Sequence, residues 1–479
     1  MRLVCCFIFL ASASFAADTR PNVLFIAIDD LRTELGCYGV EHIQSPNLDQ
    51  FAQEGIMFTR HYVQVPTCGA SRYSLLTGRS PKYTGATKGN NHFYSGKNRL
   101  RQEKTDGAQS MPELFRRNGY HTVNIGKMSH TADGLVYNYD ATGDGREEMP
   151  HAWDELATPL GDWKRGWGVF FAYADGRHRE DGKGNQDLME FVVEEDTDLP
   201  DGLNAETAIA KLTELKDRDT PFFMGLGFYK PHLPFVAPRE DWEAMEQVEI
   251  SDAQSPAKPD SAYWHESGEF YKYDTPYEKS NPLAKDDRIT ARRAYAACVR
   301  YVDRQVGKVL DALDELGLAE STIVVVWGDH GWQLGESALW GKHVAHERTL
   351  KSTLMMRVPG AKANGHVSDA LVQSIDLYPT LVDLCALENT KTEHPLDGKS
   401  IRSLLDAKAT TINDVVLSYW DDSVSVRDAQ YRLIAKKGKK DEAYTNVELY
   451  DAEASPDPDN NLAEEKPDVV ERLMAHIAQ

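Results

Sequence analysis

The sequence predicts an α/β fold, in which a large, mostly parallel sheet is sandwiched by helices and followed by a smaller C-terminal α+β subdomain. The first observation is a set of short apolar runs without polar alternation, as expected of strands buried on both faces. The second is the presence of helical patterns between these runs. The third is a change near residue 376, after which a helical segment is followed by segments typical of short antiparallel strands.

Each predicted central strand ends abruptly in polar residues. The apolar runs are NVLFIAI (22–28), HTVNI (121–125), FFMGLGF (222–228) and TIVVVW (322–327). Helices are predicted around the segments 45–55, 110–119 and 289–317. Two loop-rich stretches, 131–220 and 239–288, are predicted to be insertions that face a ligand.

The chain divides into three predicted segments. Residues 1–16 are typical of a secretory signal peptide, because Arg2 precedes an apolar run and small residues lead to Ala16. Residues 17–375 form the predicted main domain. Residues 376–479 form the predicted C-terminal subdomain, with a small antiparallel sheet and a helix. We therefore expect an exported protein, either secreted or periplasmic.

Net charge and cysteine spacing exclude several classes of protein. A formal charge of -22 argues against nucleic acid and anionic membranes as partners. No stretch beyond the predicted signal approaches the roughly 18 apolar residues of a membrane span, so we expect a soluble protein. The four cysteines outside the signal are too widely spaced for a zinc-type pair or a disulfide framework: Cys37, Cys68, Cys298 and Cys385.

Polar side chains after four predicted strands indicate an active site. In parallel sheets, ligands bind at the carboxyl ends of the strands. The residues that would meet at this edge are Asp29, Asp30, Lys127, His130, His232, Asp329 and His330. The three aspartates, without a cysteine cluster beside them, favour Ca²⁺ or Mg²⁺ over zinc. His330 is either a ligand of this cation or a neighbour of its ligands.

Cys68 does not share the apolar surroundings of Cys298 and Cys385. It is expected just before a helix that starts near Ser71, where free N–H groups and the helix dipole favour anions. Arg72 follows one turn later. An anion pocket in an otherwise acidic protein would be completed by Lys127, His130, His232 and Lys342.

Several motifs carry a family resemblance. Cys68-Gly-Ala-Ser-Arg72 followed by LLTGR is similar to the C-x-P/A-x-R signature of the type I sulfatases of the alkaline phosphatase superfamily. PNVLFIAIDD and WGDHGWQLGE resemble the family's metal-binding segments, and NIGKMSH, FYKPHLPF and LWGKH resemble its sulfate-binding segments. Within the family, KPHLPF and GDHGWQLGE are most similar to the iduronate 2-sulfatase branch. The resemblance extends from Pro21 nearly to the C-terminus.

This resemblance implies a catalytic domain at 17–375 in which Cys68 is oxidised to formylglycine (3-oxoalanine) by a formylglycine-generating enzyme. One hydroxyl of the hydrated aldehyde would attack sulfur, and deprotonation of the other would expel sulfate by elimination. The implied ligands of one Ca²⁺, or alternatively Mg²⁺, are Asp29, Asp30, residue 68, Asp329 and His330. By the same resemblance, Arg72 and Lys127 steady the nucleophile and sulfate. His130 takes the proton of the second hydroxyl. His232 and Lys342 contact sulfate, and one of the two protonates the leaving oxygen.

The predicted function is a sulfatase that hydrolyses sulfate esters of carbohydrates, acting in an exo manner on oligosaccharides derived from sulfated polysaccharide. A 2-O-sulfated uronic acid is one candidate substrate. Two alternatives are a formylglycine-dependent phosphodiester or phosphonate monoester hydrolase and a catalytically inactive glycan-binding relative. Side chains of the insertions that either bind sugars or pack the loops are Trp163, Lys164, Arg165, Trp167, Tyr263 and Trp264. His343 and His346 are expected on a loop surface, and His92 either lines the sugar site or is an ordinary loop histidine.

Overall fold

An eight-stranded sheet organises the fold. The structure, a computed structural model, describes residues 20–140, 142–163, 166–181, 186–260, 265–438 and 444–478. Within these residues the strands are β1 (Asn22–Ile28), β2 (Ile56–Phe58), β3 (His61–Tyr62), β4 (His121–Gly126), β5 (Glu155–Leu156), β6 (Met189–Glu190), β7 (Phe222–Phe228), β8 (Phe235–Val236), β9 (Thr322–Gly328), β10 (Gln333–Leu334), β11 (Trp340–Gly341), β12 (Leu354–Arg357), β13 (Val367–Ser368), β14 (Val372–Gln373), β15 (Val416–Trp420), β16 (Ser423–Arg427), β17 (Tyr431–Lys437) and β18 (Tyr444–Asp451). The helices of the same ranges are α1 (Pro46–Glu54), α2 (Cys68–Thr77), α3 (Pro81–Thr84), α4 (Met111–Arg117), α5 (Trp167–Phe170), α6 (Pro200–Leu215), α7 (Arg239–Glu246), α8 (Lys285–Glu315), α9 (Glu347–Leu350), α10 (Leu377–Leu384), α11 (Arg402–Leu405) and α12 (Pro467–Ala478).

The main sheet has the strand order β13-β2-β12-β9-β1-β7-β4-β5. Its neighbours from β9 to β5 are all parallel. By contrast, β12 is antiparallel to both β9 and β2. The prediction of a mostly parallel sheet is therefore confirmed.

The register of the sheet brings the ends of four strands to one level. Ile28 of β1 is paired with Phe228 of β7 and with Gly328 of β9. Gly126 of β4 is paired with Gly227 of β7. The polar residues that follow these strands consequently leave the sheet at the same edge.

Strand β1 is buried on both faces, as its unbroken apolar sequence predicts. Ile26 belongs to an apolar cluster beneath α1, α6 and α8. Its neighbour Phe25 points to the opposite face and belongs to a second cluster, beneath α2, α4 and α10. Helices on both faces give the predicted sandwich.

A four-stranded antiparallel sheet, β15-β16-β17-β18, follows the main domain. Helix α12 packs on one of its faces through Leu473. Its other face packs against the main body, where Ile434 lies in one cluster with Tyr62. Helix α10, although it follows residue 375, packs with the main sheet. The boundary between residues 375 and 376 stays a prediction, and the predicted signal peptide lies outside the described residues.

The four cysteines among the described residues are free thiols. Cys298 and Cys385 are fully buried among apolar side chains, as small hydrophobic residues commonly are. None of the helices in the described ranges has both the length and the apolar composition needed to cross a membrane.

Candidate active site

Cys68 is the first residue of helix α2 and is buried at the edge of the main sheet. The helix therefore begins three residues earlier than the predicted start near Ser71. Thr67 is its extended N-cap residue (φ -157°, ψ 140°). Asn90 supplies a hydrogen-bond acceptor to the first turn of the helix. Its Oδ1 accepts hydrogen bonds from the Gly69 N–H (2.8 Å) and the Thr67 hydroxyl (3.0 Å). A Cβ atom at Gly69 would lie 2.2 Å from Cα of Asn90, so only glycine permits this approach.

Two buried cations hold the carboxylates beside Cys68. Nε of Arg72 donates to Asp329 Oδ2 at 2.9 Å, and its Nη2 lies 3.3 Å from Asp29 Oδ1. Nζ of Lys127 donates to Asp29 Oδ2 at 2.6 Å. Burial opposes ionisation of Asp29, but the charges of Lys127 and Arg72 outweigh it and hold the pKa of this carboxyl well below its ordinary value. Asp29 is therefore a carboxylate at neutral pH.

The carboxylate oxygens near Cys68 suit a hard divalent cation. Four side chains each place a ligand atom within 4.8 Å of the others: Asp29, Asp30, Cys68 and His330. Oδ1 of Asp329 lies 3.6 Å from His330 Nε2. His330 donates its Nδ1–H to the Gly331 carbonyl at 2.9 Å, and its Nε2 lies 3.3 Å from Asp30 Oδ1.

The cationic side chains around Asp30 do not fully compensate for the burial of its carboxylate. Its Oδ2 is buried without a hydrogen-bond partner among the described residues. Burial raises the pKa of this carboxyl to about 7, against the opposing charges of Lys342 and His330. A divalent cation held by Asp30 and its neighbours would supply the missing charge, so the residues present fit the group.

Glu269 joins the two predicted sulfate-binding residues on the other side of the site. Its Oε1 lies 3.4 Å from Nε2 of His232, and its Oε2 lies 3.6 Å from Nζ of Lys342. Burial opposes ionisation of Glu269, but Lys342 and His232 hold its pKa well below the ordinary value. Burial and then Lys342 lower the pKa of His232 to about 4. Glu269 was not predicted, since it lies in the loop-rich stretch 239–288.

His130 is a further buried imidazole of the site and has the properties of a proton acceptor. Burial, followed by the charge of Lys127, holds the pKa of His130 well below its ordinary value. Its ring is therefore neutral at neutral pH and keeps a lone pair. Nδ1 of His130 is buried and has no hydrogen-bond partner among the described residues.

A cavity of about 450 Å³ opens above Cys68. Four further predicted site residues line it: Lys127, His130, His232 and Lys342. The polar lining residues that sequence reasoning missed are Asn90, Arg179, Glu180, Glu269, Lys272 and His343. Arg179, Glu180, Glu269 and Lys272 lie within the predicted insertions, where their charge was the available signal, whereas Asn90 and His343 lie outside these insertions.

Two histidines expected on a loop surface are not there. His346 is 3% exposed, because the C-terminal sheet and its neighbouring loops enclose it. His343 is half-buried and stacks on Trp420 of β15, with ring centroids 4.8 Å apart and planes inclined by 15°. His92 does not line the cavity above Cys68, and its Nε2 lies 2.7 Å from the Lys88 carbonyl.

The aromatic residues of the first insertion divide between packing and the cavity. Trp163 packs within the loops, and its Nε1 donates to the Tyr173 carbonyl at 2.9 Å. Trp167 is mostly buried but forms part of the cavity wall, with its ring 5.0 Å from that of His130. The remaining predicted sugar-contacting residues lie outside the described residues: Lys164, Arg165, Tyr263 and Trp264.

Two family models match this chain. Residues 21–386 match the Sulfatase model, and residues 335–479 match the model described as N-sulphoglucosamine sulphohydrolase, C-terminal. The protein belongs to the sulfatase family and is a sulfuric ester hydrolase. The predicted membership in the type I sulfatases of the alkaline phosphatase superfamily is confirmed. Membership implies a formylglycine nucleophile and a divalent cation.

Individual relatives extend this comparison. The chain is 32% identical to iduronate 2-sulfatase of Mus musculus over 416 residues, which span 79% of this chain and 71% of that protein. A protein solved in complex with its substrate D-glucosamine-2-N,6-O-disulfate has a TM-score of 0.72 and 21% identity, over 96% of this chain and 97% of that one. The phosphonate monoester hydrolase of Agrobacterium radiobacter also has a TM-score of 0.72, with 19% identity over 96% of each chain. These two structures share the fold.

Proposed function

We propose that the protein is an exo-acting carbohydrate sulfatase that removes sulfate from the end of oligosaccharides derived from sulfated polysaccharide. The cavity above Cys68 carries this proposal. Its volume of about 450 Å³ lies in the lower part of the roughly 300–1,000 Å³ range of small-molecule sites. A recess of this size suits a terminal sugar better than the middle of a chain. The similarity to iduronate 2-sulfatase makes a 2-O-sulfated uronic acid the leading substrate.

The charges of the cavity support an anionic sugar. Lys127 and Lys342 lie deep in the cavity beside Cys68, where a sulfate group would be placed. Arg179 and Lys272 also line the cavity and would meet a carboxylate or a further sulfate. The guanidinium of Arg179 lies 3.4 Å from the ring centroid of Phe171, and its Nε donates to Glu180 Oε1 at 2.8 Å, so both contacts fix its position in the cavity wall. Such a cationic recess accommodates anions in a protein with a formal charge of -22.

The chain's own residues divide the catalytic work in this proposal. Formylglycine at position 68 would supply, when hydrated, one hydroxyl as nucleophile and a second that allows sulfate to leave by elimination. A Ca²⁺ ion held by Asp29, Asp30, residue 68, Asp329 and His330 would supply Lewis-acid polarisation. Arg72 and Lys127 fix the carboxylates around residue 68. Neutral His130 accepts the proton of the second hydroxyl. His232 and Lys342 hold sulfate, and one of the two protonates the leaving oxygen.

The proposal also includes export of the protein, secreted or periplasmic, and maturation by a formylglycine-generating enzyme. The leading sequence of residues 1–16 supports export. The thiol at position 68, in a CGASR segment similar to the family's signature, supports maturation at this residue.

The test is a panel of defined sulfated oligosaccharides assayed by sulfate release, with the intact parent polymer beside them. We expect release from short chains with a terminal 2-O-sulfated uronate and little release from the polymer. Rapid desulfation of intact polymer would contradict the exo assignment, and turnover of aryl sulfate without any sulfated sugar would contradict the carbohydrate assignment. The alternative function is hydrolysis of phosphodiesters or phosphonate monoesters, because phosphonate monoester hydrolases share the fold. Matched aryl phosphodiester and aryl phosphonate monoester substrates test it.

A further inference from the structure

A second group of potential metal ligands lies apart from Cys68. It comprises His265, His346 and Glu448, and is called here the His265–His346–Glu448 cluster. Their ligand atoms all lie within 4.8 Å of one another. Nε2 of His265 lies 2.9 Å from Oε2 of Glu448, and the two imidazole centroids are 4.2 Å apart. Three segments distant in sequence therefore bring two imidazoles and a carboxylate together.

The state of His346 indicates that the cluster is incomplete. This residue is 3% exposed, and both Nδ1 and Nε2 are buried without a hydrogen-bond partner among the described residues. A buried polar group without a partner is costly, and most such groups in native proteins are satisfied. A metal ion bound to one ring nitrogen would satisfy it.

The three side chains of the cluster favour zinc over a hard cation such as Ca²⁺. Two imidazoles and one carboxylate, with the fourth position taken by water, form a common zinc set, whereas hard ions such as Ca²⁺ prefer oxygen ligands. Zinc bonds of about 2.0–2.1 Å place tetrahedral ligands roughly 3.3 Å apart. Atoms at most 4.8 Å apart reach that spacing through small side-chain rotations. The positive charge of Arg432 acts on His346. Glu347 offsets this charge, because Nε of Arg432 lies 2.7 Å from Oε2 of Glu347.

We propose that the His265–His346–Glu448 cluster binds Zn²⁺, and that this ion fastens the loops of the active site to the C-terminal sheet. His265 precedes Glu269 by four residues, and His346 follows Lys342 by four residues. Glu269 and Lys342 are the pair that lies 3.6 Å apart beside His232. Glu448 belongs to β18. One ion would thus hold both segments that deliver this pair to the cavity.

Cobalt titration tests the proposal, because tetrahedral Co²⁺ absorbs visible light and replaces zinc in such sites. The chelator-treated full chain is saturated with Ca²⁺ and titrated with Co²⁺. We expect one equivalent of absorbing Co²⁺ in the wild type and in Asp329→Asn, in which an amide replaces one of the carboxylates beside Cys68. We expect at least a 10–100-fold loss of Co²⁺ affinity in His346→Gln and Glu448→Gln, and no loss in the exposed control His366→Gln.

The opposite pattern would overturn the proposal. Absorption that disappears in Asp329→Asn and persists in His346→Gln and Glu448→Gln would place all bound Co²⁺ at the Cys68 site. Circular dichroism reports whether each variant is folded. If the buried substitutions prevent folding, His265→Gln, which lies in a partly exposed loop, decides in their place. Zn²⁺ should also raise the Tm of the wild type and not that of His265→Gln.

Discussion

Nζ of Lys342 lies 3.1 Å from Sγ of Cys68. Both side chains are buried, so the charge of the lysine is poorly screened by water. Burial opposes the charged form, but Asp30 and Cys68 hold the pKa of Lys342 well above its ordinary value. A permanent cation therefore contacts the residue that the family converts into its nucleophile.

The first prediction concerns this residue. Cys68→Ala should reduce sulfate release to the background rate, because alanine can form neither an aldehyde nor its hydrate. The fold should persist, since the change removes one small buried atom. Mass spectrometry of the wild-type peptide, from cells that contain a formylglycine-generating enzyme, should show the thiol sulfur exchanged for an aldehyde oxygen. Normal turnover by Cys68→Ala would contradict the proposed mechanism.

The second prediction concerns the cation. Asp329→Asn should abolish turnover and also remove the stabilisation that Ca²⁺ gives to the wild type. A ligand present at 100 times its Kd stabilises a protein by about 2.7 kcal/mol, so the wild-type Tm should rise with Ca²⁺. The exposed substitution Asp369→Asn is the control and should respond to Ca²⁺ as the wild type does. An equal rise in Asp329→Asn would place the ion elsewhere.

The third prediction concerns Glu269 as a positioning residue. Glu269→Gln should lower kcat by about 10–100-fold with a smaller effect on KM. Glu269 raises the pKa of His232 against the effects of burial and Lys342, so its removal lowers that pKa further. If His232 is the acid, the alkaline limb of the pH–rate profile moves to lower pH. Glu266→Gln, at an exposed position three residues earlier, is the control. A Glu269→Gln profile that matches the wild type would exclude this role.

The fourth prediction concerns recognition of the sugar. Arg179→Ala should reduce kcat/KM for a sulfated uronate oligosaccharide about tenfold, a loss of about 1.4 kcal/mol, and should spare a simple aryl sulfate. Arg177→Ala is a matched control two residues away, because Arg177 pairs with Glu190 outside the cavity. Equal losses on both substrates would assign Arg179 to loop structure instead of recognition.

The fifth prediction concerns stability in acid. Burial opposes ionisation of Glu34, but Arg32 and Arg292 hold its pKa at about 2. Because this pKa lies below the ordinary value of 4.5, the carboxylate stabilises the fold by about 3 kcal/mol above pH 5, and the contribution is lost as the pH falls toward 2. Glu34→Gln should lower the free energy of unfolding near neutral pH and flatten its decline in acid. Glu54→Gln, in an exposed pair with Arg357, should change it little. Urea denaturation at neutral pH and near pH 3 measures both.

The central sheet and the polar residues at its edge could be predicted from the sequence. Unbroken apolar runs such as 22–28 specify strands buried on both faces, and parallel pairing then brings Asp29 and Asp329 together. Local pattern is sufficient there, because each residue lies next to the strand that positions it.

The rest of the cavity could not be predicted in this way. Glu269 lies in an irregular loop and Arg179 begins a single 3-10 turn, and the paths of both segments depend on tertiary packing and not on periodicity. The start of α2 at Cys68 depends on Asn90, a residue 22 positions later, whose side chain satisfies the first turn. His346 was expected at the surface because nothing local shows that β18 will cover it.

The stack of His343 on Trp420 places the C-terminal sheet behind one wall of the catalytic recess. A shortened chain that ends before β15 would keep the carboxylates and Cys68 but would lose the support of one side of the recess. Exchange of this sheet between relatives would, for the same reason, transfer part of their substrate preference. The sequence of the small sheet can therefore differ between members of the family while the reaction itself stays the same.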